Sequence, residues 1–143
     1  MFFYKVEGVI FLRDLVAKGP NPRGVLYKLK SINPMVWIKG NSDTWFDGGF
    51  NILEPKTKIE KCLYNNYEFV LKCLTDEDLK ILKRLLVIQK LEVNDYKVLC
   101  VHGSPRKINE DLSHNESEEQ LKTILEGVKE DIILSGHTHK LQL

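Results

Sequence analysis

Four short apolar runs punctuate the chain: residues 8–12 (G-V-I-F-L), 35–38 (M-V-W-I), 97–101 (K-V-L-C-V) and 131–134 (D-I-I-L). Each has strand length, is rich in β-branched or large apolar residues, and does not alternate with polar ones. Runs of that kind suit strands buried on both faces. The stretch L-E-V-N-D-Y-K-V-L-C-V predicts a hairpin that turns at Asn94-Asp95.

Helical spacing fills the intervals. Pro20-Asn21-Pro22 opens a segment with Val25, Leu26, Leu29 and Ile32 on one face. Thr75-Asp76-Glu77-Asp78 forms a capping signal ahead of Leu79, Leu82, Leu85 and Leu86. Ser117-Glu118-Glu119-Gln120 does the same for Leu121, Ile124, Leu125 and Val128. Strands alternating with helices predict an α/β fold with a mostly parallel sheet and at least one antiparallel addition.

The residues just past each predicted strand carry the chemistry. Arg13-Asp14 succeeds the first and Lys39-Gly40-Asn41-Ser42-Asp43 the second; His102-Gly103-Ser104 succeeds the third and Ser135-Gly136-His137-Thr138-His139 the fourth. In open α/β sheets ligands bind at the carboxyl ends of strands, where the loops converge. Singly, Asp14 also suits a turn cap, Gly40-Asn41 a tight loop, and His102 a core histidine. His114, in S-H-N-E-S-E-E, reads as solvated. Together, Asp14, Asn41, His102, His137 and His139 form a mixed N/O set suited to Mn, Fe or Zn. Glycines stand beside three of these positions (Gly40, Gly103, Gly136) and would let the backbone approach ions closely.

The order D, G-N-x-D, H-G, G-H-T-H resembles the calcineurin-like metallophosphoesterase family. L-V-A-K-G-P-N-P-R-G-V-L, V-H-G-S-P-R and L-S-G-H-T-H are similar to its small bacterial phosphodiesterase branch. The resemblance implies an α/β/β/α sandwich, two sheets flanked by helices, and a two-metal site. Asp14 would bridge the ions, Asn41, His102 and His137 would complete one shell, and His139 would serve the other. A metal-activated hydroxide would then hydrolyse a phosphodiester or phosphomonoester. From its own setting, Arg106 in S-P-R reads either as a contact for the substrate phosphate or as a surface arginine.

Departures from the family pattern sharpen this expectation. No D-x-H precedes Asp14, so the ion served by His139 would keep only Asp14 and His139. Arg13 replaces the family's glycine and could compete for Asp14 or point away from it. Ser42 stands where the family often has a histidine credited with protonating the leaving group, a role worth ~10²- to 10⁴-fold. Residues 1–143 are therefore expected to form one metallophosphoesterase domain incomplete at both ends. Its open sheet edges would invite pairing with a second copy. The alternative is a non-catalytic scaffold or inactive fragment on the same fold.

Composition narrows the partners. A formal net charge of +1 leaves no basic stripe for nucleic acid or an anionic membrane. No apolar run approaches the roughly 18 residues of a membrane-spanning helix. Lys5 and Glu7 interrupt the apolar start, and no small-residue cleavage site comes after it, so a secretory signal is not expected. Cys62, Cys73 and Cys100 leave an odd thiol and no C-x-x-C, which predicts reduced thiols in a cytoplasmic protein.

Overall fold

The computed structural model describes residues 6–12, 14–113 and 115–139. Arg13, His114 and the first five residues, on which some of the sequence expectations rest, lie outside them.

The elements run β1 (Ile10–Phe11), α1 (Pro22–Ile32), β2 (Val36–Trp37), a 3-10 turn (Asp43–Asp47), α2 (Lys58–Cys73), α3 (Asp76–Arg84), β3 (Ile88–Val93), β4 (Tyr96–Val101), α4 (Glu118–Ile124) and β5 (Ile132–Ser135). β1 pairs parallel with β2, Ile10 opposite Val36. β4 lies between antiparallel β3 and parallel β5. Asn94 and Asp95 both take positive φ, 48° and 69°, the two-residue turn whose twist matches a hairpin. Both the short-range pairing and the mixed sheet agree with the apolar pattern.

Local capping sets most helix starts. The Asn21 side chain accepts from the Gly24 amide at 2.9 Å and Pro22 occupies the first turn of α1. Reciprocal capping boxes open α2 (Thr57 with Glu60), α3 (Thr75 with Asp78) and α4 (Ser117 with Gln120).

Three differences from the sequence pattern have physical causes. α2 is a full 16-residue helix that the pattern did not announce. Only Val70 on it is fully buried, and its inner face is otherwise half-buried Tyr67 and Leu71, so no continuous aliphatic stripe marks it. α3 stops at Arg84 instead of running to Leu86, because Leu86 enters a parallel bridge with Ile38 and its carbonyl accepts from the Lys39 amide at 3.0 Å. α4 stops at Ile124, short of Val128; Gly127, at φ 79°, turns the chain toward β5.

Two apolar cores hold the layers. Val36, Ile38, Val98 and Cys100 pack with Ile10, Leu12, Leu91 and Leu134 between the two sheets. On the other face of the small sheet, Phe11 and Trp37 meet Leu15, Val16, Leu26, Leu29, Phe46, Val70, Leu74 and Leu82 beneath α1 to α3. Leu99 points away from the inter-sheet core by strand alternation and lines a crevice with Ile124 of α4. The order of layers is helices, sheet, sheet, helix. Cys100 is a small core residue, as its apolar setting predicts, and Cys62, Cys73 and Cys100 are free thiols. Among the described residues, no helix is long and apolar enough to cross a membrane.

Ile38 is the keystone of the inter-sheet core: it is fully buried and, just past β2, bridges to Leu86 ahead of β3. Ile38→Ala should lower stability by about 2–5 kcal/mol, read as a lower urea midpoint with the slope unchanged.

Candidate functional site

Leu12, Ile38, Val101 and Ser135 end, or directly follow, the strands of both sheets, and the segments after them meet at one edge. Two close approaches make this possible. A Cβ on Gly40 would strike the backbone and carboxylate of Asp14, coming within 2.6 Å of the Asp14 amide nitrogen. A Cβ on Gly136 would overlap the Leu12 carbonyl oxygen. Only glycine fits either place. What these glycines admit is the backbone of a neighbouring loop, a more local purpose than the approach to ions expected from sequence. Gly103 likewise lies under the Lys107 and Ile108 carbonyls.

Asp43, marked in the sequence only by its place in G-N-x-D, locks the first two loops together. Its carboxylate is 1% exposed and accepts from the amides of Leu15 (2.9 Å), Val16 (3.3 Å) and Gly40 (2.8 Å). Burial pushes its pKa up to about 6, against the pull of those three donors. The Ser42 amide donates to Asp14 Oδ1 at 2.9 Å, which fixes the second carboxylate. The Ser42 side chain itself is sealed at 0% exposure, and its hydroxyl has no hydrogen-bond partner among the described residues.

His102 stands at the centre. Its ring is 1% exposed, and Nδ1 lies 2.7 Å from the Leu12 carbonyl oxygen. A carbonyl only accepts, so Nδ1 carries the hydrogen and Nε2 presents a lone pair. Around Nε2 lie Asn41 Oδ1 at 3.1 Å, His137 Nδ1 at 3.0 Å and Asp14 Oδ1 at 3.8 Å. Burial lowers the His102 pKa, with the nearby charges of His137 and His139 adding to that direction, while the Leu12 carbonyl and Asp14 oppose it. The ring is thereby kept in the neutral form that a metal needs.

Asp14, Asn41, His102 and His137 therefore converge. His139 lies close enough to influence His102 electrostatically, on a more exposed part of the same turn. His137 and His139 both take left-handed backbone, φ 44° and 56°, a conformation costly for a residue with a Cβ. Arg106 lies apart: its Nε and Nη2 form a fork on Glu110 at 2.8 and 2.7 Å. It lines a crevice of about 390 Å³ with Glu110, Asp111, Glu116 and Thr123.

The donor chemistry fits a divalent cation. A lone pair on His102 Nε2 faces an amide oxygen and, at longer range, a carboxylate oxygen, which is repulsive unless a cation joins them or the amide is turned. Among the described residues, no three His, Cys, Asp or Glu side chains form a ready cage. One of the four donors is an amide, and the two imidazoles are closed against each other.

A model of the calcineurin-like phosphoesterase family matches residues 3–141. The chain belongs to the calcineurin-like phosphoesterase family. Two solved structures share the fold of this family member. A hypothetical protein from Pyrococcus horikoshii OT3 aligns with a TM-score of 0.76 at 19% identity, covering 92% of this chain and 56% of that one. A metallophosphoesterase from Sphaerobacter thermophilus aligns with a TM-score of 0.64 at 24% identity, covering 94% and 51%. The chain thus spans about half the length of these structures. No curated protein matches its sequence.

The fork on Glu110 gives a pH signature. Arg106, with Ser104 second, holds the Glu110 carboxyl down to about 2 from the usual 4.5. A depressed carboxylate contributes stability that is complete above its unfolded pKa and is lost as pH falls through the folded one. The Arg106–Glu110 pair should therefore persist below pH 4.5 and break only toward about pH 2, followed as the Glu110 carboxyl carbon shift by NMR.

Proposed function

We propose that this chain is a metal-dependent phosphoesterase that hydrolyses a phosphodiester or phosphomonoester. The observation that carries the reading is the crowding of His102 Nε2 by Asn41 Oδ1, His137 Nδ1 and Asp14 Oδ1, donor atoms from three other strand ends. Asp14, Asn41, His102 and His137 would hold one divalent ion, manganese, iron or zinc, and Asp14 with His139 would hold a weaker second. Such ions supply Lewis-acid stabilisation of phosphoryl charge and a water of lowered pKa.

The chain's own residues supply the rest. The Leu12 carbonyl fixes the His102 tautomer, and Asp43 holds the Asp14 and Asn41 loops in register. Arg106, on a crevice whose lining includes Asp111, a neighbour of His137, would meet the substrate phosphate through the part of its guanidinium outside the Glu110 fork. The Ser42 hydroxyl, being sealed, does not protonate a leaving group. Free thiols suit a reduced compartment such as the cytoplasm.

The sealed Ser42 favours one alternative, a binding module on the same fold that holds metal without turnover. Hydrolysis of bis-p-nitrophenyl phosphate separates the two readings. Turnover should require manganese and should fall about a hundredfold or more in His137→Ala, beyond the loss typical of an outer-shell change. Equal turnover in both chains would overturn the site. Manganese binding without turnover by the folded chain would select the binding module. Arg106→Ala should raise KM about tenfold while moving kcat less, the loss expected for one charge-assisted contact; an unchanged KM would remove Arg106 from substrate binding.

A further inference from the structure

Residues 40–50 carry Asn41 and fold into a compact unit. Thr44 Oγ1 donates to the Asn41 carbonyl at 2.7 Å, the Trp45 amide to the Ser42 carbonyl at 3.3 Å, and the Gly49 amide to the Thr44 carbonyl at 2.9 Å. Gly48, at φ 102°, reverses the chain, and a Cβ on Gly49 would come within 2.6 Å of the Thr44 carbonyl oxygen. D-T-W-F-D-G-G-F is thereby doubled back, with the Phe50 ring 5.5 Å from that of Trp45. Because these bonds join the segment to itself, a displacement of one end is passed to the other, Asn41 included.

The Asp43 carboxylate holds the near end of the segment, and rings hold the far end. Tyr67 of α2 stacks on Phe50 with centroids 4.1 Å apart and planes 7° from parallel, and on Phe46 at 5.3 Å and 19°. Tyr64, one turn earlier on α2, meets Phe50 at 6.3 Å. Phe46 is buried in the core beneath the helices, while Phe50 and Tyr67 are half-buried. Stacked rings add a directional attraction to the area they bury. One ring of α2 therefore grips the segment at two points, four residues apart. Asn41 reaches the donor cluster from this segment, its Oδ1 3.1 Å from His102 Nε2. Where the segment rests decides where that oxygen stands.

We infer that Tyr67 is a positioning residue for Asn41: by stacking on Phe46 and Phe50 it fixes residues 40–50, and with them the amide donor of the metal site. The inference rests on the metal site proposed above. It gives the aromatic positions of α2 a purpose beyond covering the core, and it needs the ring of Tyr67 but not its hydroxyl.

The test compares the full chain with Tyr67→Leu, Tyr67→Phe and Val70→Ala. Leucine keeps apolar bulk without the ring, and phenylalanine keeps the ring. Val70, fully buried one turn further along α2, gives a loss of core packing in the same helix that spares the ring. Amide exchange of the metal-free chains is read at Asp43, Trp45 and Gly49, donors within the segment, against the amides of β4. Relative to β4, Tyr67→Leu should quicken exchange in the segment about tenfold, while Tyr67→Phe and Val70→Ala should not. Manganese affinity, by calorimetry, should fall about tenfold in Tyr67→Leu and stay near the wild-type value in the other two. Unchanged exchange or unchanged affinity in Tyr67→Leu overturns the inference. So does an equal loss of affinity in Val70→Ala, which would make the effect one of stability alone. Failure of the wild type to bind manganese would overturn the metal site itself, and exchange quickened only in Tyr67→Leu would then still establish the clamp on residues 40–50.

Discussion

The structure depends on a few polar groups pinned between loops that lie far apart in sequence. Asp43 is the plainest of them. A carboxylate removed from water is unfavourable unless hydrogen bonds replace the lost solvent, and here three backbone amides do so. Two of those amides belong to the segment after β1, and one to the segment after β2. The arrangement therefore sets the distance between the two loops, and with it the distance between Asp14 and Asn41. His102 makes the equivalent tie across the sheets, from the end of β4 to the Leu12 carbonyl. The apolar core supplies most of the stabilisation, but these two contacts decide what the strand ends present.

Lys39 shows the same economy at the next position along. Its ammonium is almost fully buried, yet it meets Asp47 at 2.5 Å and the Lys83 carbonyl at 3.3 Å. The 3-10 turn beyond Asn41 is thereby tied to the end of α3. A buried pair of this kind adds little net stability, but losing either partner would leave a charge uncompensated. The site edge is held by interactions whose worth lies in geometry more than in free energy.

The strands and the Asn94-Asp95 turn were legible in the sequence because their signals are local: short β-branched runs, and a dipeptide that tolerates positive φ. The starts of α1, α3 and α4 were legible for the same reason. The ends of α3 and α4 were not. Leu86 keeps helical spacing, yet a strand partner at Ile38 outbids the helix. α2 escaped notice because its inner face is partly aromatic and only half-buried. Among the site candidates, the strand-end pattern pointed to the convergence of Asp14, Asn41, His102 and His137, while the ion they would hold is a proposal. Asp43 was marked only by its place in G-N-x-D, and Glu110 carried no signal of its own. Asp43 acts on residues whose proximity exists only after folding, 27 positions away for Val16.

The left-handed backbone at His137 and His139 has a consequence for how this chain can change over generations. Two residues with side chains occupy conformations that glycine would adopt at lower energy, a penalty of roughly 1–2 kcal/mol each. Most random substitutions weaken a protein, but at these two positions exchange for glycine is favoured by the backbone itself. Glycine at either position would relieve that torsional cost, and at His137 it would also remove the imidazole that meets His102. Backbone and side chain thus pull in opposite directions within one short turn.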